Sequence, residues 1–153
     1  MTNQIKTPEE ALSELGITLE PARQPLGNYI GCVRTGNLIF TSGQISDQHI
    51  GTLGQDLTIE DGYQAARQAG LNVLRILKSE LGELSRVKRV VKVFGMVHSA
   101  LDFTDHPKVI NGASDLFVEV FGEKGIHARS AVGFAQLPKS AAVELEIIVE
   151  VED

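Results

Sequence analysis

An α+β fold, a mixed sheet carrying two long helices on one face, is the class that the residue pattern predicts. Three observations carry it. Apolar positions at 59, 63, 66, 70, 73, 74, 77 and 81 keep the three-and-four spacing of a helix with one buried stripe. The run Val87–Val97 concentrates Val90, Val91, Val93, Phe94, Met96 and Val97, a density suited to a central strand covered on both faces. In the last segment Val143, Leu145, Ile147, Val149 and Val151 alternate with Glu144, Glu146 and Glu150, so one face is core and the other acidic.

From the N-terminus, Thr7-Pro8-Glu9-Glu10 combines a capping hydroxyl, a helix-compatible proline and a carboxylate at capping-box spacing, which predicts a short helix over about 8–15. Gly16 ends it. Residues 28–45 are rich in Ile, Val, Phe and Thr and break at Thr35-Gly36-Asn37, the pattern of a β-hairpin. Gln44–Leu57 holds Gly51 and Gly54 among polar residues and reads as a loop with a short extended piece, placed to form a pocket rim. Thr58 caps the long helix with Asp61 three residues on, and Gly82 stops it. A second helix follows Pro107, with Val109, Ile110, Ala113, Leu116, Phe117 and Val120 inward and Gly122 at its close. Ala128–Gln136 and Ala142–Val151, joined by Leu137-Pro138-Lys139-Ser140-Ala141, are expected to pair as a closing hairpin. No composition shift, repeat or low-complexity tract marks a second domain, so one domain over 1–153 is expected.

Composition narrows the classes of function. A chain of 153 residues can bury a core without disulfides or metals, and a net charge of −6 disfavours a surface that neutralises nucleic-acid phosphates. The one basic cluster, Arg86, Lys88, Arg89 and Lys92, reads as a solvated sheet face or edge. A lone cysteine, no signal-peptide pattern and no apolar run of about 20 residues make a cytoplasmic location without a membrane span the expectation. His49, His98, His106 and His127 show no metal spacing, although His127 nearly abuts Arg129. Cys32 reads as a small strand hydrophobe. Gly51 and Gly54 lack the lysine and helix of a phosphate loop and read as a turn.

Arg129 opens a strand of small and apolar residues, where a guanidinium must pair with a protein acid or receive an anionic ligand through its two-point fork. The pattern Arg129-x-x-Val132-x-x-Ala135-x-Leu137-Pro138-Lys139, with Glu144 fifteen residues after the arginine, resembles the C-terminal signature of the YjgF/RidA family. Tyr29, followed by Gly36-Asn37-Leu38-Ile39-Phe40-Thr41-Ser42-Gly43-Gln44, is similar to the family's first hairpin and Ser-Gly-Gln loop. Asn111, early in the second helix, is a third match. The resemblance spans about Tyr29 to Val151, in a chain lengthened by the N-terminal helix and the 44–57 loop.

The resemblance implies a chorismate-mutase-like fold and a homotrimer with clefts between neighbouring subunits. It implies hydrolytic deamination of 2-imino or enamine acids of the 2-aminoacrylate type, without metal or organic cofactor. Arg129 would hold the substrate carboxylate and Glu144 would position the attacking water. Tyr29, Ser42, Gly43 and Asn111 match pocket-lining positions. Many deaminase members carry a cysteine where this chain has Ala131, so any role for that thiol is lost, while the backbone N–H groups near Gly43 and Ala131 remain available to the reacting centre. A second reading keeps the pocket for binding or sensing small carboxylates, and a third is RNA cleavage, which family naming raises and the acidic charge opposes. In the expected closing hairpin Glu144 would lie opposite about residue 134, leaving Arg129 roughly 17 Å farther along, so a site using both needs a bend, a water or a neighbouring subunit.

Overall fold

A computed structural model describes residues 5–153, so the first four residues of the expected 1–153 domain lie outside the described ones. Helix α1 spans Pro8–Glu14 and begins with the expected reciprocal cap, Thr7 Oγ1 accepting from the Glu10 N–H while the Glu10 carboxylate accepts from the Thr7 N–H. Glu9 ties α1 to the body of the protein, its carboxylate accepting from Lys78 Nζ at 3.0 Å and from the Leu84 N–H at 2.7 Å. The first hairpin is β1, Cys32–Thr35, and β2, Leu38–Thr41, with Thr35 opposite Leu38. Gly36 turns it with a φ of 57°, a left-handed conformation that glycine adopts without steric cost. The extended piece of the 44–57 loop is β3, Gln44–Ile45.

Helix α2, Ile59–Leu81, starts at the Thr58–Asp61 capping box and stops at Gly82. Strand β4 runs Val87–His98 and helix α3 His106–Phe121, with all six expected inward residues of α3 buried. The two long helices lie against each other through small residues. A Cβ on Gly112 would sit 1.9 Å from the Tyr63 carbonyl oxygen, so the α3 backbone rests directly on that of α2. Outside this seam Tyr63 Oη donates to Asp115 at 2.6 Å and Arg67 pairs with Glu119 at 2.9 Å. No helix among the described residues is long and apolar enough to cross a membrane.

The sheet is completed by β5, Ala128–Phe134, and β6, Val143–Val151, in the order β1-β2-β6-β4-β5, with β3 also paired to β6. This corrects the expected closing hairpin. β5 and β6 are not neighbours, because β4 lies between them, parallel to β5 and antiparallel to β6. The connection from Ala135 to Ala142 passes over the end of β4, where Ala142 O accepts the His98 N–H. Strand β4 is central as expected, but within this chain the helices cover only one of its faces. Register shifts between Val87 and Arg89 and between Val90 and Lys92 reset the side-chain alternation. As a result Val87, Val90 and Val93, three residues apart, all face the helices, while Lys88 and Arg89 are exposed and Lys92 and Phe94 half-buried.

Candidate functional site

Arg129 lies on edge strand β5 in the same row as Val93 and Ile147, both core residues, so its side chain leaves the sheet on the helix side. It runs along α3. Nη1 donates to Ser114 Oγ at 3.1 Å and Nη2 to the Pro107 carbonyl oxygen at 3.2 Å. Spacing of i, i+4 and i+7 puts Pro107, Asn111 and Ser114 on one face of α3, so Asn111 lies between the two groups that hold the guanidinium. Ala131, two residues after Arg129, shares its face of the sheet and packs against the core edge. No Asp or Glu pairs with Arg129 among the described residues. The salt-bridge reading therefore has no partner, and the guanidinium keeps its charge and three of its five donors for another anion.

Glu144 lies on the other face of the sheet, in the row of Met96 and Val132. It joins Tyr29, Gly43, Asn72, Asp47 and Arg23 around a cavity of about 260 Å³ at the margin where β3 meets β6. Gly43 is there for space. A Cβ at that position would come within 3.1 Å of the Glu144 carboxyl carbon, so the carboxyl packs directly on the glycine backbone. Ser42 is adjacent but turned to structure, its Oγ donating to the Ile30 carbonyl at 2.6 Å and its N–H to the Gly31 carbonyl at 2.8 Å. Burial, with added repulsion from Glu146, pushes the Glu144 carboxyl above the usual carboxylate range. A carboxyl so raised binds its proton more tightly folded than unfolded, so its share of stability is full below the unfolded pKa and lost as pH rises through the folded one. Glu144→Gln is thus expected to raise the thermal midpoint at pH 7, and the gain should vanish below about pH 4, where the wild-type carboxyl is itself protonated.

The predicted residues therefore gather in two groups, Arg129 with Asn111 and Ala131, and Glu144 with Tyr29 and Gly43. Two strand spacings and three residues of strand separate Arg129 from Glu144, roughly 14 Å between backbones, and their side chains leave opposite faces. This replaces the hairpin-based estimate. The separation comes from the intervening β4 and the pleat, not from distance along one hairpin. One chain cannot bring both residues to one small molecule.

Both groups lie within the stretch of sequence that carried the family resemblance. The family described as "YjgF/chorismate mutase-like, putative endoribonuclease" matches residues 9–150. This chain belongs to the YjgF/RidA family. Among YjgF/RidA relatives, Protein TCP17 of Trypanosoma cruzi is 45% identical over 148 residues, covering 93% of this chain and 92% of TCP17. The 2-iminobutanoate/2-iminopropanoate deaminase of Dermatophagoides farinae is 32% identical over 131 residues, 86% of this chain and 91% of that protein. A solved structure from Shewanella oneidensis, described as a putative endoribonuclease, is similar at a TM-score of 0.92 and 35% identity, covering 95% of this chain and 100% of that one. The YjgF/RidA motif led to Arg129 and Glu144 but not to Ser114 or the Pro107 carbonyl, which hold the guanidinium, nor to Asn72, which donates to the Ile45 carbonyl at 3.0 Å beside the cavity. Helical spacing from Asn111 was the one signal that could have found Ser114.

Proposed function

We propose that copies of this chain associate, as a trimer in keeping with the family resemblance, so that the Arg129 group of one copy meets the Glu144 group of the next. The cleft so formed hydrolyses small 2-imino or enamine acids. The observation that carries this reading is the Arg129 guanidinium, fixed by two neutral acceptors and, among the described residues, paired with no carboxylate. Self-association has apolar surface to use: Val132 and Phe134 on edge strand β5, Leu26 and Tyr29 at the Glu144 cavity, and Ile30 and Phe40 elsewhere on the surface are exposed. The deaminase relatives support the chemistry, since their names specify 2-imino acids with a carboxylate next to the reacting carbon.

In the proposed cycle Arg129 takes the carboxylate in two-point geometry, which places the imine carbon across the cleft from Glu144 of the neighbouring copy. The ionised Glu144 orients a water and accepts one of its protons as the oxygen bonds to the imine carbon. That proton passes to the imine nitrogen as the C=N π pair moves onto it, giving a carbinolamine. The carboxylate then carries the hydroxyl proton to the same nitrogen, C=O forms as the C–N bond breaks with its electron pair going to nitrogen, and ammonia and a 2-keto acid leave. A carboxylate with a raised pKa is a stronger base for this step than an ordinary surface glutamate.

The test is ammonia release from freshly generated 2-iminopropanoate, measured against spontaneous hydrolysis in buffer. Acceleration supports deamination; no acceleration overturns it. Ala131, in place of the cysteine of many deaminase members, favours a second reading in which the cleft binds small carboxylates without turnover. Calorimetric binding of pyruvate by a protein that releases no ammonia would select that reading. RNA cleavage has no comparable support, because Lys88, Arg89 and Lys92 share their region of the sheet with Glu144, Glu146 and Glu150, and Lys88 is paired to Glu150 at 3.5 Å.

A further inference from the structure

Behind Arg129 lies a second layer of polar groups whose proton directions can be worked out one by one. His127 Nδ1 is 2.6 Å from the Gly125 carbonyl oxygen, which can only accept, so Nδ1 carries the proton. Burial holds the imidazole below its ordinary pKa; the Gly125 contact opposes that, and the Arg129 charge adds to it. Burial and the Arg129 charge thus favour the neutral ring, whose Nε2 is an acceptor. Ser114 Oγ, 2.9 Å away, must donate to it. With its one hydrogen committed, the hydroxyl presents only lone pairs to Arg129 Nη1.

The layer is anchored to rigid structure at its far end. The His127 ring stands edge-on to Phe117, a fully buried core residue, with centroids 6.1 Å apart. Gly125 sits close against the end of α3, where a Cβ would lie 2.2 Å from the Phe117 carbonyl oxygen, so a larger residue could not take its place without shifting that backbone. Every partner in the chain of bonds is uncharged. A carboxylate in the place of Ser114 would hold the guanidinium as firmly but would cancel the charge that a ligand needs. The neutral arrangement orients the head and leaves its charge intact.

We infer that His127, acting through Ser114, is a positioning residue that holds the Arg129 guanidinium in the pose that receives a carboxylate. This rests on the carboxylate-anchor reading of Arg129. Neither side chain touches the substrate. Their effect falls on binding, through the orientation of the anchor, and leaves the water-attack step alone.

The experiment compares wild type with Ser114→Ala, Ser114→Thr, His127→Ala and the Ser114→Ala/His127→Ala double variant. Pyruvate dissociation constants come from calorimetry, and KM and kcat from 2-iminopropanoate turnover. Ser114→Ala and His127→Ala are each expected to raise the pyruvate Kd and the imine KM about tenfold with kcat nearly unchanged. Ser114→Thr, which keeps the hydroxyl, should restore both. The double variant should be no worse than Ser114→Ala alone, because His127 acts through the serine. Wild-type affinity in Ser114→Ala alongside loss in Arg129→Ala would overturn the relay and leave the anchor standing, as would additive losses in the double variant. Absence of pyruvate binding and of imine turnover in the wild type would overturn the anchor and the relay together. Nitrogen NMR of the histidine ring in the unmodified protein supplies a ligand-independent check: an Nδ1–H tautomer is expected, and an Nε2–H tautomer would contradict the proton directions whatever the ligand.

Discussion

Arg129→Ala is expected to lower kcat/KM for 2-iminopropanoate by at least about a hundredfold, and to abolish measurable pyruvate binding, because a two-point bond between guanidinium and carboxylate is worth roughly 3 kcal/mol or more where water is partly excluded. The fold should survive. The side chain lies along the surface of α3, and its loss leaves the Ser114 hydroxyl still donating to His127 and the Pro107 carbonyl within reach of water. The thermal midpoint is thus expected to move little while activity is lost. Arg129→Lys should recover only part of the binding, since a single ammonium cannot engage Ser114, Pro107 and both ligand oxygens together. Steady-state kinetics and calorimetry on the three proteins, with a thermal melt of each, check all of this.

Gly112→Ala is expected to cost on the order of 3 kcal/mol of stability, the upper end of the range for overpacking. The methyl would meet the Tyr63 carbonyl oxygen 1.9 Å away, a backbone atom that no rotamer change can move, so α3 would have to lift from α2. Gly70→Ala provides the contrast. Its methyl would meet the end of the Leu116 side chain at 3.0 Å, a contact that a small rotation relieves, and a loss of about 1 kcal/mol is expected there. Urea midpoints with unchanged slopes would measure both. Because α3 also carries Pro107, Asn111 and Ser114, the Gly112 variant should weaken pyruvate binding in whatever fraction remains folded.

What the sequence made legible was local. Thr7 with Glu10 and Thr58 with Asp61 marked two helix starts because a cap is a contact between residues three apart, and Gly36-Asn37 marked the first turn for the same reason. The pairing of β5 was not legible. Ala128–Phe134 has no alternation to set a register, and Pro138-Lys139 carries turn chemistry whether the chain returns to the adjacent strand or passes over one. The bulges in β4 were equally hidden, since a run of valines reads the same with or without an extra residue, and they decide which valines face the helices. At the site, motif spacing identified Arg129 and Glu144 but could not reveal that they leave opposite faces of the sheet. Repulsion of Glu144 by Glu146 was visible in the alternation of β6, whereas the contact of Glu144 with the bare backbone of Gly43 needed the fold.

A site shared between copies makes a demand that a site within one chain does not. Arg129→Ala and Glu144→Gln proteins, each inactive alone, should regain activity when unfolded together and refolded as mixed oligomers, because an intact Arg129 can then face an intact Glu144 on a different copy. Random mixing of equal amounts in closed rings should restore about a quarter of the wild-type rate of ammonia release. A mixture no more active than its two parents, beside a wild-type control that turns over 2-iminopropanoate after the same treatment, would contradict the shared site.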